Sequence, residues 1–205
     1  MPGNILGERF IFLSFGESHG RCIGAVVDGC PAGLPLDREE VQGELDLRRP
    51  GYSPLSSQRR EEDRVEILSG VFQGYTTGAP IAMVVWNRDI DSTPYERFKD
   101  VPRPGHADYT SKVKYGGYGD WRGGGRFSGR VTASYVMAGA VAKKLLHYTL
   151  GVEILSYTLE IGGIRAGSIS DDDVKRNRYS NDLRCPDIEA AERMKEEILE
   201  AQRLS

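Results

Sequence analysis

Arg9-Phe10-Ile11-Phe12-Leu13-Ser14-Phe15, then the loop Gly16-Glu17-Ser18-His19-Gly20, then Cys22-Ile23-Gly24-Ala25-Val26-Val27-Asp28: this run decides the fold. Bulky and β-branched residues dominate both flanks, so each reads as a strand, and the glycine-bounded loop makes them neighbours. Gly29 and Pro31-Ala32-Gly33 end the second strand. A second pair follows: Arg64 to Leu68 alternates, Pro80 to Trp86 is an apolar run of strand length, and Gly70 to Gly78 joins them. Two long helices come late in the chain, so strands in neighbouring pairs predict an α+β layered fold rather than a doubly wound one.

Outward from these pairs, Asp37 can cap a helix, with Glu40 three residues on completing a capping-box pattern and Val41, Leu45 and Leu47 supplying apolar contacts. Pro50-Gly51 stops that helix near Arg48. Gly51 to Asp63 is polar and is expected to be a loop, mobile without a ligand. Asn87 to Arg130 has little periodicity and abundant glycine, in a stretch much longer than ordinary connections. The clearest helix is Thr132 to Tyr148, where Ala133, Val136, Met137, Ala140, Val141 and Leu145 recur at helical spacing. Val152 to Ile164 reads as a strand and Ser168 to Arg184 as a polar excursion. Asp187 to Leu204 reads as an amphipathic helix using Ile188, Ala191, Met194, Ile198 and Ala201.

With 205 residues and 39% hydrophobic side chains, the chain can build an ordinary packed core. No apolar run is long enough to span a bilayer and the N-terminus lacks a basic stretch followed by an apolar one, so a cytoplasmic protein without membrane association is expected. Cys22, Cys30 and Cys185 lack paired spacing, which predicts small buried hydrophobes rather than disulfides or a metal site. The net charge of -3 disfavours nucleic-acid binding by bulk electrostatics. Between Arg103 and Arg130, however, cations outnumber acids, and that segment can host an anion.

Three segments place titratable or cationic groups in glycine-rich backbone: Gly16 to Gly20, Arg103-Pro104-Gly105-His106-Ala107-Asp108, and Arg122-Gly123-Gly124-Gly125-Arg126-Phe127-Ser128-Gly129-Arg130. Such backbone brings N–H groups and side chains close to a ligand, and phosphate chemistry is the natural reading. Each segment alone has a plainer account. A histidine such as His19 in a turn is commonly just hydrogen-bonded to backbone, and arginine-glycine tracts are commonly solvated or bind RNA. Arg48 and Arg49 can simply complement a helix dipole. The glycines are not followed by GK[ST], which excludes a P-loop. His147, late in the long helix, reads as structural.

Taken in order, these segments resemble the motifs of chorismate synthases. Phe15 to Gly20 is similar to the first motif, and Arg48-Arg49-Pro50-Gly51 with Arg59-Arg60-Glu61-Glu62-Asp63-Arg64-Val65 to the arginine-rich segment after it. Leu68 to Phe72, Thr76-Thr77-Gly78, Arg103 to Thr110, the glycine cluster and Ala138 to Lys144 continue the resemblance from residue 3 to about 165. The chain departs from the family at Pro54, at Phe127 and at Val131-Thr132-Ala133.

The resemblance implies a carbon-oxygen lyase performing a 1,4-elimination of phosphate from 5-enolpyruvylshikimate 3-phosphate, with reduced FMN as cofactor and NADPH as a candidate reductant. It implies catalytic roles for His19, at the departing phosphate, and His106, at the flavin. It assigns Ser18, Arg48, Arg49 and Arg130 to substrate, and Arg126, Phe127, Ser128 and His106 to cofactor. It further implies a β-α-β sandwich of antiparallel sheets enclosing helices, assembled as a homotetramer. Family chains are nearly twice as long, so residues 1–205 are expected to be the N-terminal portion of a single truncated domain. The competing expectation is an inactive substrate-binding or assembly module.

Overall fold

The computed structural model describes residues 3–48, 62–88 and 90–204. They divide into two compact units, one of residues 3–48 and 62–152 without residue 89, the other of residues 153–204.

The first unit is built on an antiparallel sheet. Its strands are β1 (Ile5–Leu6), β2 (Ile11–Gly16), β3 (Cys22–Asp28), β4 (Val65–Ile67) and, after the hairpin of β5 (Val71–Phe72) with β6 (Tyr75–Thr76), β7 (Ile81–Trp86). The spatial order is β1-β2-β3-β7-β4. The decisive run pairs as its pattern predicts, with Phe12 opposite Val27, Ser14 opposite Ala25 and Gly16 opposite Ile23. On β3 and β7 every second residue faces the core: Ile23 lies opposite Val85, Ala25 opposite Met83 and Val27 opposite Ile81, all fully buried. A strand's period of two makes this one continuous apolar face.

Helices α1 (Arg38–Arg48) and, later in the chain, α3 (Thr132–Leu150) cover that face. The predicted capping box starts α1: Glu40 N–H donates to Asp37 Oδ1 at 2.8 Å and Asp37 N–H to Glu40 Oε2 at 3.3 Å. Between β7 and α3 the expected unperiodic stretch contains a 3₁₀ segment Thr93–Lys99, a short helix α2 (Asp108–Lys114), and 3₁₀ turns at Arg122–Phe127 and Gly129–Val131. These pieces are too short to show a 3.6-residue pattern. The helix α3 (Thr132–Leu150) buries Ala133, Met137, Ala140 and Val141 against Val41, Leu45 and the sheet. Lys143 and Lys144 form ion pairs with Glu44 and Glu40, tying α3 to α1 beside the apolar contact. Gly151, left-handed with φ 65°, ends α3 by donating to the carbonyls of His147 and Leu146.

In the second unit the expected strand Val152–Ile164 is corrected. Only β8 (Glu160–Ile161) and β9 (Ile164–Arg165) form, as a hairpin turned by Gly162-Gly163. Residues 152–159 are mostly exposed, and no described strand offers their backbone a partner. The expected polar excursion contains helix α4 (Asp171–Asn177), started by a capping box of Ser170 and Asp173. Helix α5 (Ile188–Leu204) follows and buries Ala190, Ala191 and Met194 against Ala166 and Cys185. Ile188, expected on that face, is instead 50% exposed. Cys30 and Cys185 are buried as expected, whereas Cys22 is only half-buried.

Helices on an antiparallel sheet give the predicted α+β class. Among the described residues no helix is long and apolar enough to cross a membrane.

Candidate functional site

The apolar face of the sheet ends where β2 turns polar. Phe12 is the last apolar core residue of that strand, and the next two positions on the same face are the buried Ser14 and the half-buried Gly16. The loop that follows holds Ser18 and His19, both buried. Three sets of bonds shape it. Gly20 N–H donates to Glu17 O at 3.0 Å, Ser18 N–H donates to Gly125 O at 3.2 Å, and the Asn87 amide donates to Glu17 O at 3.0 Å and Gly20 O at 2.8 Å. His19 Nδ1 lies 2.9 Å from Ser92 Oγ, and its ring meets Tyr95 edge-on at 5.1 Å.

The glycine cluster explains how the histidines come together. Gly123, Gly124 and Gly125 are buried and have φ of 58°, 81° and 54°, a left-handed run that side chains disfavour. A Cβ on Gly123 would overlap the His19 ring, and one on Gly124 would stand 3.0 Å from His106 Cε1 and Nε2. Two neighbouring bare backbone positions thus each accommodate one of the two imidazoles.

His106 is oriented by charge. Its Nδ1 lies 2.6 Å from Asp108 Oδ1, so that nitrogen carries the hydrogen and Nε2 is left on the Gly124 side. Arg103 grips the same carboxylate through Nε at 2.8 Å, Nη2 at 2.9 Å and its own N–H at 3.0 Å. Its guanidinium lies over the Phe98 ring at 4.6 Å. These bonds, the Arg103 side chain foremost, hold the Asp108 carboxyl at about 2, below its ordinary 3.8.

A carboxyl depressed in the folded state adds stability above its unfolded pKa and loses it as pH falls through the folded one. For Asp108 that window runs from 3.8 down to about 2, and a shift of just under two units is worth about 2 kcal/mol. Urea unfolding at pH 6 and pH 2 should therefore show wild type losing about 2 kcal/mol more than Asp108→Asn. Equal losses in the two proteins would refute the linkage.

The arginines are tied down in two groups. Asp63, buried, accepts from Arg130 Nη1 at Oδ1 and from Arg48 Nη1 at Oδ2, the latter at 3.2 Å. Arg48 also donates to Thr132 Oγ1 and Gly129 O, each at 3.1 Å, and Arg130 Nε donates to Asn87 Oδ1 at 2.9 Å. Arg126, expected at a ligand, spans the polar end of the sheet, donating to Gly16 O at 2.8 Å, Ser14 Oγ at 2.6 Å and Asn4 Oδ1 at 3.1 Å, and also borders a cleft. Ser128 Oγ accepts from Arg130 N–H and caps the turn into α3. Arg49 and Pro54 lie outside the described residues. His147 is exposed and remote from these groups in the chain.

Two clefts flank Phe127, which is 42% exposed. One of about 350 Å³ is bordered by Phe98, Asp108, Trp121, Gly124 and Phe127. The other, about 600 Å³, is bordered by Gly16, Glu17, Tyr115, Arg126 and Phe127. The first sets the aromatic side chains of Phe98, Trp121 and Phe127 beside the charged Lys99, Asp100, Lys112 and Asp120. Reading the sequence for charged motifs missed Asn87, Ser92 and Tyr95. Their one signal was position, just past a strand and inside a stretch too long for a plain connection.

An antiparallel sheet carrying helices, with two histidines set against adjacent glycines of one buried turn, is an α+β architecture that a solved structure shares. The crystal structure of chorismate synthase matches with a TM-score of 0.72 and 33% identity, over 94% of this chain and 53% of that one. The sequence model of the family described as chorismate synthase matches residues 10–205. A chorismate synthase of Korarchaeum cryptofilum is 59% identical over 99% of this chain and 56% of its own length, and one of Methanococcoides burtonii is 54% identical over 97% and 54%. The chain belongs to the chorismate synthase family, a family of lyases in aromatic amino-acid biosynthesis. It spans about half the length of the curated relatives it matches.

Proposed function

We propose that residues 1–205 form the N-terminal portion of a single chorismate synthase domain that removes phosphate from 5-enolpyruvylshikimate 3-phosphate by 1,4-elimination, in the presence of reduced FMN and without net redox change. The observation that carries this reading is the placement of His19 and His106 against adjacent glycines of one turn. Family membership supports the reaction class.

In this reading His19 gives a proton to the departing phosphate oxygen, as a general acid. Ser18, Arg48, Arg49 and Arg130 bind the substrate's anionic groups, the arginines through charge-assisted hydrogen bonds. The cleft beside Phe127 and Gly124 fits a planar cofactor, since Phe98, Trp121 and Phe127 give it aromatic walls and Gly124 presents backbone without a side chain. Phe127 borders this cleft, Arg126 borders the neighbouring one and His106 stands beside the Gly124 wall of the first; with Ser128 these residues would hold reduced FMN, which would supply transient electron density, the chemistry being the cofactor's own. His106, its Nδ1 engaged by Asp108 and its Nε2 3.4 Å from Arg103 Nη2, would meet that cofactor from the Gly124 side. NADPH is the candidate reductant. A cytoplasmic homotetramer of full-length chains belongs to the same reading.

The test is an anaerobic assay of the full chain with 5-enolpyruvylshikimate 3-phosphate and reduced FMN. Chorismate and inorganic phosphate should appear in equal amounts, and oxidised FMN alone should support neither. Absence of both products with reduced FMN overturns the proposal.

A further inference from the structure

Asn87 follows β7, and its backbone continues the ladder beyond Trp86 by donating to Arg21 O at 3.1 Å. Its side chain makes three bonds in two directions. Nδ2 donates to Glu17 O at 3.0 Å and to Gly20 O at 2.8 Å, the two carbonyls that bracket Ser18 and His19. On the other side, Oδ1 accepts from Arg130 Nε at 2.9 Å. The amide orientation is settled by these partners, because the flipped form would face an oxygen to two carbonyls and an NH₂ to a guanidinium. Both amide hydrogens are thereby used on the histidine loop and the oxygen on an arginine that also grips Asp63.

We infer that Asn87 is a positioning residue that fixes the His19 loop in register with Arg130, an inference that rests on the proposed roles of those two residues. A carboxamide is the smallest side chain that can donate twice to one loop while accepting from an arginine opposite. A carboxylate at the same place keeps the acceptor and loses both donors. It also sets negative oxygen against the carbonyls of Glu17 and Gly20. A misplacement of about 1 Å in a catalytic group costs on the order of 10²-fold in rate. The inferred role therefore predicts an uneven loss, heavy on the His19 side and light on the Arg130 side.

Asn87→Asp and Asn87→Ser in the full chain test this. With Asn87→Asp, kcat should fall about 10²-fold while KM for 5-enolpyruvylshikimate 3-phosphate stays within about threefold. With Asn87→Ser, whose shorter side chain also draws its oxygen back from Arg130, KM should rise as well. The His19 ring resonances of the folded, ligand-free variants should shift while those of His106 stay in place. That NMR readout needs no turnover, so it still decides the role of Asn87 if the wild type makes no chorismate. Unmoved His19 resonances in a folded variant would overturn the inference. So would parallel changes of kcat and KM in Asn87→Asp, or a stability loss with wild-type kcat.

Discussion

His19→Ala should lower the elimination rate of the full chain about 10²- to 10⁴-fold, the usual contribution of a general acid, while leaving affinity for reduced FMN nearly unchanged. The expectation rests on the proposed general-acid role of His19 together with where the ring sits. His19 belongs to the loop after β2, is 6% exposed, and is held by Ser92 and by the edge of Tyr95. It lies on the Gly123 side of the glycine turn, whereas His106 lies on the Gly124 side next to the aromatic cleft. Removing it takes away the proposed proton donor and leaves the cleft walls intact. His106→Ala should do the opposite to binding, altering FMN affinity or the spectrum of the bound reduced cofactor as well as the rate, because a hydrogen-bonding neighbour decides which ionic form is favoured. Anaerobic titration of each variant with reduced FMN, followed by single-turnover decay, separates them. A perturbed spectrum in His19→Ala with an unperturbed one in His106→Ala reverses the assignment, and wild-type rates in both dismiss it.

Asp63→Ala should destabilise the protein by roughly 3–5 kcal/mol, the range for removing one partner of a buried ion pair. Asp63 has 1% of its side chain exposed and Arg130 5%, so the guanidinium left behind cannot turn to water without rearranging the turn before α3. Arg48, at 21%, is less committed. Replacing the pair together, as Asp63→Leu with Arg130→Met, should recover much of that loss, since the cost lies in the uncompensated charge rather than in the missing attraction. Denaturant midpoints of the three proteins test this. A loss under about 1 kcal/mol for Asp63→Ala would mean that Arg130 draws its compensation from elsewhere.

The sheet was legible because its rules are local. Alternation on β3 and β7, the Asp37 and Glu40 capping box, and the helical spacing of α3 each depend on side chains a few positions apart, and all three appear in the fold. Where the outcome depends on a distant partner, the same rules fail. Val152 to Leu159 has strand composition and, among the described residues, no strand to pair with. The seven residues of α2 span less than two helical periods. The candidate site divides in the same way. His19, His106 and the arginines were visible as charged residues among glycines. That Arg126 would bind the sheet, and that Asn87 would link loop to arginine, was decided by contacts spanning tens of residues or more.

The reach of Arg126 sets an order of events for a chain still being made. Its partners Gly16, Ser14 and Asn4 precede it by 110, 112 and 122 residues. At the usual pace of translation, about 5 to 20 residues per second, β2 leaves the ribosome on the order of 5 to 20 s before the arginine that closes its polar end. Closing so long a loop costs about 4 kcal/mol in chain entropy, which the early strands cannot offset by themselves. A nascent chain can therefore carry a paired sheet while its histidine loop has neither the arginine nor the glycine turn that shapes it. The loop proposed to bind the ligand is thus shaped only once residues 123–126 have been made, long after the strands that carry it and shortly before α3 covers the sheet.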